Sequence, residues 1–161
     1  MRSYYAQWLA EVKPLQEQVN YISVGVESEP TAMLCSANWI GSYADSWENI
    51  GGSEVKNGYW DLQVEKSGKY KIELYGWPKQ AGKGFGDTLV NVQGRFPGRE
   101  VAKAKLKLGD DVLTAQTSPR AMSVVFEVAL SKGDRRRLQS WLYDKEGKEL
   151  GGAYFAYVTK L

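Results

Sequence analysis

The sequence predicts a mainly β protein, an antiparallel β-sandwich of jelly-roll type preceded by one short helix. Three observations carry this. Apolar side chains recur at helical spacing only near the N-terminus. From about residue 21 the apolar period shortens from 3.6 to 2. The alternating runs are short and separated by Gly-, Asp- and Asn-bearing turns, as antiparallel sandwiches require and parallel α/β sheets do not.

In chain order, Tyr5, Trp8, Leu9, Val12, Leu15 and Val19 share one helical face over residues 4–19. Pro14 lacks an amide donor and disfavours helix at Lys13, so a kink or break is expected there. Residues 1–20 are taken as a helical segment and 21–161 as the sandwich. Tyr21–Val26 and Thr31–Ser36 read as strands flanking the Glu29-Pro30 turn. Residues 38–57, rich in Gly, Ser, Asn and Asp around Trp39 and Trp47, read as a long loop. Trp60, Leu62 and Val64, then Tyr70, Ile72 and Leu74, alternate with polar residues across Lys66-Ser67-Gly68-Lys69, the pattern of a hairpin with one buried face. Trp77-Pro78 ends its second strand. Residues 79–99 read as a second long loop with a possible strand at 89–92. Ala102–Leu108, Val124–Leu130, Leu138–Tyr143 and Ala153–Val158 complete the strands.

Composition narrows function. The 161 residues, 43% apolar and 25% charged, suffice for one cored domain. Twenty-one Lys and Arg oppose 19 Asp and Glu, a balance that does not make nucleic acid the default partner. No apolar run reaches the length of roughly 18 residues that reads as a membrane span. The start lacks the apolar core and cleavage site of a signal peptide, so the chain is expected to stay inside or to be part of a longer one; compartment is not fixed. The absence of histidine excludes Ser-His-Asp and Cys-His catalysis and His-ligated metals. The single cysteine, Cys35, excludes an internal disulfide and reads as a small apolar residue. No metal or cofactor is expected.

Gly82-Lys83-Gly84-Phe85-Gly86 has glycines suited to a phosphate, but no helix follows, so a plain loop is expected. Asp110-Asp111 reads as turn chemistry rather than a catalytic pair. Lys103, Lys105 and Lys107 share one strand face, which suits an anionic partner or simply an edge strand protected from aggregation. They and Arg135-Arg136-Arg137 contain no interleaved aromatics, so no base-stacking platform is expected. Six tryptophans and ten tyrosines raise glycan binding, since sugar C–H faces stack on aromatic rings. Parity opposite to Leu74 places Tyr75 on an exposed face, and Trp77 with it if the strand continues, making them the first ligand candidates, with Trp39, Trp47 and the three lysines behind them. Trp39, Trp47, Trp60 and Trp141 otherwise read as core.

The segment Gly58–Leu74, Trp77-Pro78, Val124–Leu130 and Gly151-Gly152-Ala153-Tyr154-Phe155-Ala156-Tyr157-Val158, with Tyr5-Ala6-Gln7-Trp8, Ile22-Ser23-Val24-Gly25 and Asn38-Trp39 upstream, resembles the C-terminal region of bacterial arylsulfatases of the type I sulfatase family. In that family catalysis resides in a preceding α/β domain with a formylglycine motif, Ca²⁺ ligands, Lys and His. Here Cys35 is followed by Ser36-Ala37-Asn38, and Tyr75-Gly76 stands where related tails often carry arginines. The resemblance therefore implies a non-catalytic accessory domain, packed on a sulfatase catalytic domain and helping to bind sulfated substrate. The alternatives are an autonomous carbohydrate-binding module, expected to show a line of exposed aromatics, and a protein-interaction module, expected to show an apolar patch. No nucleic acid or membrane partner is expected.

Overall fold

The computed structural model describes residues 2–16, 19–51 and 54–161. Its elements are α1 (Arg2–Gln16), β1 (Ile22–Val24), β2 (Thr31–Cys35), β3 (Ile40–Gly41), α2 (Trp47–Gly51), β4 (Gly58–Val64), β5 (Gly68–Tyr75), β6 (Leu89–Asn91), β7 (Gly94–Phe96), β8 (Lys103–Leu108), β9 (Asp111–Gln116), β10 (Ser123–Leu130), β11 (Arg135–Tyr143), β12 (Glu149–Gly151) and β13 (Phe155–Lys160).

Two sheets face each other. One runs β1-β4-β11-β8-β9, with β3 on β4 and β12 on β11; the other runs β10-β5-β13-β2. Every pairing in them is antiparallel except β1 with β4. The expected mainly β sandwich is the fold. Its core is built by the period-2 pattern: Trp60, Leu62, Leu106, Leu138 and Leu142 from the larger sheet meet Tyr70, Ile72, Leu74 and Leu34 from the smaller, all at most 1% exposed. Trp60 also ties the layers, its indole N–H donating to the Cys35 carbonyl at 2.9 Å.

Several expectations need correction. The run Gly58–Tyr75 is not a hairpin. β4 pairs with β11 in one sheet and β5 with β13 and β10 in the other, so Lys66–Gly68 arches between layers. The alternation is identical for a hairpin and an arch, because both aim their apolar sets at one core. Here the arch is held by the Tyr70 hydroxyl donating to the Lys66 carbonyl at 2.5 Å. The segment Asp111–Gln116, not foreseen as a strand, pairs with β8 across Gly109-Asp110. Arg135-Arg136-Arg137, beside the turn at 131–134, opens β11, which begins earlier than the expected Leu138. The two long loops carry β3 and α2, and the β6–β7 hairpin. Pro14 does not break α1, whose last turn contains it; the expected helical residue Val19 lies beyond the helix. The expected apolar face of α1 is not packed on the sandwich: Tyr5 is 60% exposed, Trp8 45% and Leu9 41%. Among the described residues no helix is long and apolar enough to cross a membrane.

Candidate functional site

Tyr75 and Trp77, expected as an exposed platform, are 4% and 3% exposed. Parity did place Tyr75 on the outer face of the smaller sheet. That face is covered there by the segment following Trp77. Lys79 donates its backbone N–H to the Tyr157 hydroxyl at 3.1 Å, and its ammonium reaches Glu73 at 3.3 Å. Beneath it the Tyr75 and Tyr157 rings meet edge-on at 5.2 Å. Burial pushes the Glu73 carboxyl up, but the hydrogen bonds and charges of Lys71 and Lys79 outweigh it and leave the group below its ordinary value. Trp77 turns into a satellite cluster with Ala44, Ile50, Phe96 and Tyr154, its indole N–H on the Asp87 carbonyl at 2.9 Å.

Trp39 is half-buried between the core and that cluster, 5.8 Å from the Trp60 ring and 5.3 Å from Tyr154. A Cβ on Gly58 would stand 2.6 Å from Trp39 Cβ and Cγ, so the indole is clamped rather than presented. Trp47 begins α2, and its side chain lies outside the described residues. Gly84 and Gly86 lie against the Pro119 and Arg120 backbone, and Phe85 between them is buried, so Gly84–Gly86 is packed, while Gly82 is exposed.

Lys103, Lys105 and Lys107 do share the outer face of the larger sheet, and the register gives them neighbours that the linear sequence hides. Tyr143, Trp141 and Gln139 of β11 stand opposite Lys103, Lys105 and Lys107 of β8, and Gln139 stands opposite Tyr59 of β4. Trp141, expected in the core, is half-exposed on this face because Leu138, Ser140 and Leu142 take the inward positions. Cations lie over the rings: Lys105 Nζ is 3.9 Å from the Trp141 centroid, the Arg137 guanidinium 3.6 Å from Tyr59, and that of Arg135 4.8 Å from Tyr21. Arg137 also reaches the Asp61 carboxylate at 3.3 Å.

At one end of this face is a cleft of about 480 Å³, lined by Val19, Asn20, Ile22, Asn38, Ile40, Tyr59, Trp60, Asp61 and Arg137. β3 and β4 build its walls, and outward parity from the buried Trp60 sets Tyr59 and Asp61 into it. Asn38 is placed by accepting the Cys35 thiol proton on Oδ1 at 3.0 Å, which leaves its amide N–H groups without a partner among the described residues. The cleft thus offers one ring under a fixed guanidinium, a carboxylate and two side-chain amides. The same parity that put Trp60 inside identifies Tyr59 and Asp61. The Arg137 contact needed the β4–β11 register, which no local signal supplies. Among the described residues no three Cys, Asp or Glu side chains converge as metal ligands.

No family model matches the chain, and no curated protein matches it. Solved structures do. A ruminal GH26 endo-β-1,4-mannanase aligns with 88% of this chain at 8% identity and a TM-score of 0.48; the chain spans only 27% of that enzyme. The CBM35 from Cellvibrio japonicus Abf62 aligns with 80% of this chain and 92% of its own, at 12% identity and a TM-score of 0.47. A family 35 carbohydrate binding module from Clostridium thermocellum covers 82% and 89%, at 10% identity and 0.41. These likenesses are remote and bear on neither ligand nor activity. None of these is a sulfatase. The expected kinship with an arylsulfatase tail, and with it the role of packing on a sulfatase catalytic domain, is overturned.

Proposed function

We propose that this chain is a non-catalytic carbohydrate-binding β-sandwich, with the Tyr59 cleft as its sugar site. The observation that carries the reading is the cleft's composition. A sugar ring presents hydroxyls in fixed directions around a C–H face, and it is matched by planar polar side chains grouped around an aromatic ring. Asn20, Asn38, Asp61 and Arg137 around Tyr59 are such a group. Arg137 lies over the ring, so the sugar meets the guanidinium plane, the ring edge and the amides rather than a bare ring face. Open sites of this kind bind at millimolar to micromolar affinity, about 4–8 kcal/mol.

Affinity electrophoresis of the whole chain through gels containing mannan, galactan or polygalacturonate tests the reading. Retardation by at least one polymer is expected, reduced roughly tenfold in Tyr59→Ala, a loss of about 1.4 kcal/mol. If no polymer retards the protein, or if Tyr59→Ala and Asn38→Ala bind as well as the unaltered chain, the reading is wrong.

A further inference from the structure

Resting on the carbohydrate-binding reading, we infer that the outer face of the larger sheet is an extended track for a polyanionic glycan, continuing from the Tyr59 cleft along β11 and β8. The register orders it as successive rows: Tyr59, Gln139 and Lys107; then Trp141 and Lys105; then Tyr143 and Lys103. From Arg137 to Tyr143 the strand covers six residue steps, about 20 Å at 3.3 Å each. Two separate basic runs of the sequence therefore become one surface.

Charge on that surface is unbalanced. Among the described residues no carboxylate lies within ion-pair distance of Lys103, Lys105, Lys107 or Arg135; Arg137 alone has one, Asp61. A sheet edge needs scattered lysines to resist pairing, but β8 is not an edge. It lies between β11 and β9, so edge protection does not explain its three outward lysines. The rings have a second role here. Lys105 over Trp141 and Arg137 over Tyr59 are held flat against the sheet, so less side-chain freedom remains to be lost when an anion arrives. The amides of this face are engaged within it: Gln139 Nε2 donates to Asn57 Oδ1 at 3.3 Å, and Gln63 accepts from Arg135 at 3.3 Å and donates to Glu65 at 3.1 Å. A single-stranded nucleic acid fits less well. It needs open ring faces for base stacking, and on this face the described ring contacts place cations over them. The pI of 8.5 is also below that of a nucleic-acid domain, typically above about 9.

The test compares three polymers with the full chain: polygalacturonate, an uncharged galactan, and an oligothymidylate. The proteins are the natural sequence, Tyr59→Ala and the triple variant Lys103→Gln/Lys105→Gln/Lys107→Gln, with thermal melting confirming the fold. Polygalacturonate is expected to bind more tightly than galactan. The triple variant should lose roughly tenfold for polygalacturonate only, and natural binding should weaken severalfold from 50 to 300 mM salt. Equal binding of the two glycans, or polygalacturonate binding untouched by the triple variant, overturns the track but leaves the cleft standing if Tyr59→Ala still weakens binding. Tighter binding of oligothymidylate overturns the track in favour of nucleic acid. Binding of no glycan overturns both the track and the reading beneath it.

Discussion

Arg99 offers the sharpest test of how the loop end of the sandwich is held. Its guanidinium donates to the Leu150 carbonyl at 2.9 Å, the Ile50 carbonyl at 3.2 Å, the Gly152 carbonyl at 3.4 Å and the Tyr154 hydroxyl, and lies 4.1 Å above the Tyr154 ring. It thereby joins α2, β12 and the turn before β13. Burial lowers its pKa, opposed by Tyr154, and no carboxylate pairs with it among the described residues. Arg99→Met keeps the length and the apolar contact but orphans the two better-bonded carbonyls. At about 1–3 kcal/mol each they set a loss of roughly 2–6 kcal/mol. The stacking contact adds about 1 kcal/mol, and release of the buried, unpaired charge offsets part of the sum. A net loss near 3 kcal/mol is expected, which in a chain of this size lowers the melting temperature by about 6–12 °C. Arg99→Lys keeps the charge but not the planar fork that reaches several carbonyls, so a loss of about 2 kcal/mol is expected. Calorimetric melting reads both. An Arg99→Met protein within 1 kcal/mol of the natural one would mean that water satisfies these carbonyls and that the arginine is not a structural tie.

Two further perturbations probe other parts of the fold. Gly98→Ala would place a Cβ 2.4 Å from the Phe85 carbonyl oxygen and 2.6 Å from that of Asp87, backbone that cannot step aside, so a loss of about 3 kcal/mol is expected in urea unfolding; a near-neutral result would refute the close approach. Glu73 is held below its ordinary value in the fold. Its contribution is therefore present above the unfolded carboxyl value of about 4.3 and lost as pH falls through the folded value. The stability gap between the natural protein and Glu73→Gln should narrow from pH 7 to pH 3; a gap that does not change with pH would show the Lys71–Glu73–Lys79 cluster to be unimportant.

The strands were legible where one face alone is wet. Trp60, Leu62 and Val64 declare β4 by parity, and Tyr70, Ile72 and Leu74 declare β5. What parity does not carry is the partner. The same alternation serves a hairpin within one sheet and an arch between two, and only the packing of both apolar sets into a single core separates them. Asp111–Gln116 escaped notice for a related reason: this edge strand buries little, leaving no strong alternation to read. Tyr75 and Trp77 show a different limit. Tyr75 does lie on the outer face, whereas β5 ends before Trp77 and no parity carries to it; whether a sheet's outer face is open depends on where a later segment lies, and the Lys79 contacts to Glu73 and Tyr157 close it over Tyr75.

The candidate site lies at that same boundary between local and non-local information. Lys103, Lys105 and Lys107 show in the sequence as a stripe with no ring inside it, and so does Arg135–Arg137. Separately, each is accounted for by solvation, and absence of aromatics argues against a recognition surface. Register changes the argument. β11 places Trp141 and Tyr143 opposite two of the lysines, and β4 brings Tyr59 under Arg137. Interleaving of cations and rings is then complete, but it runs across strands instead of along one. A stripe of lysines on a strand is ordinary; one on an internal strand, with no carboxylate in ion-pair reach among the described residues and Trp141 under its middle lysine, is a surface shaped to receive negative charge.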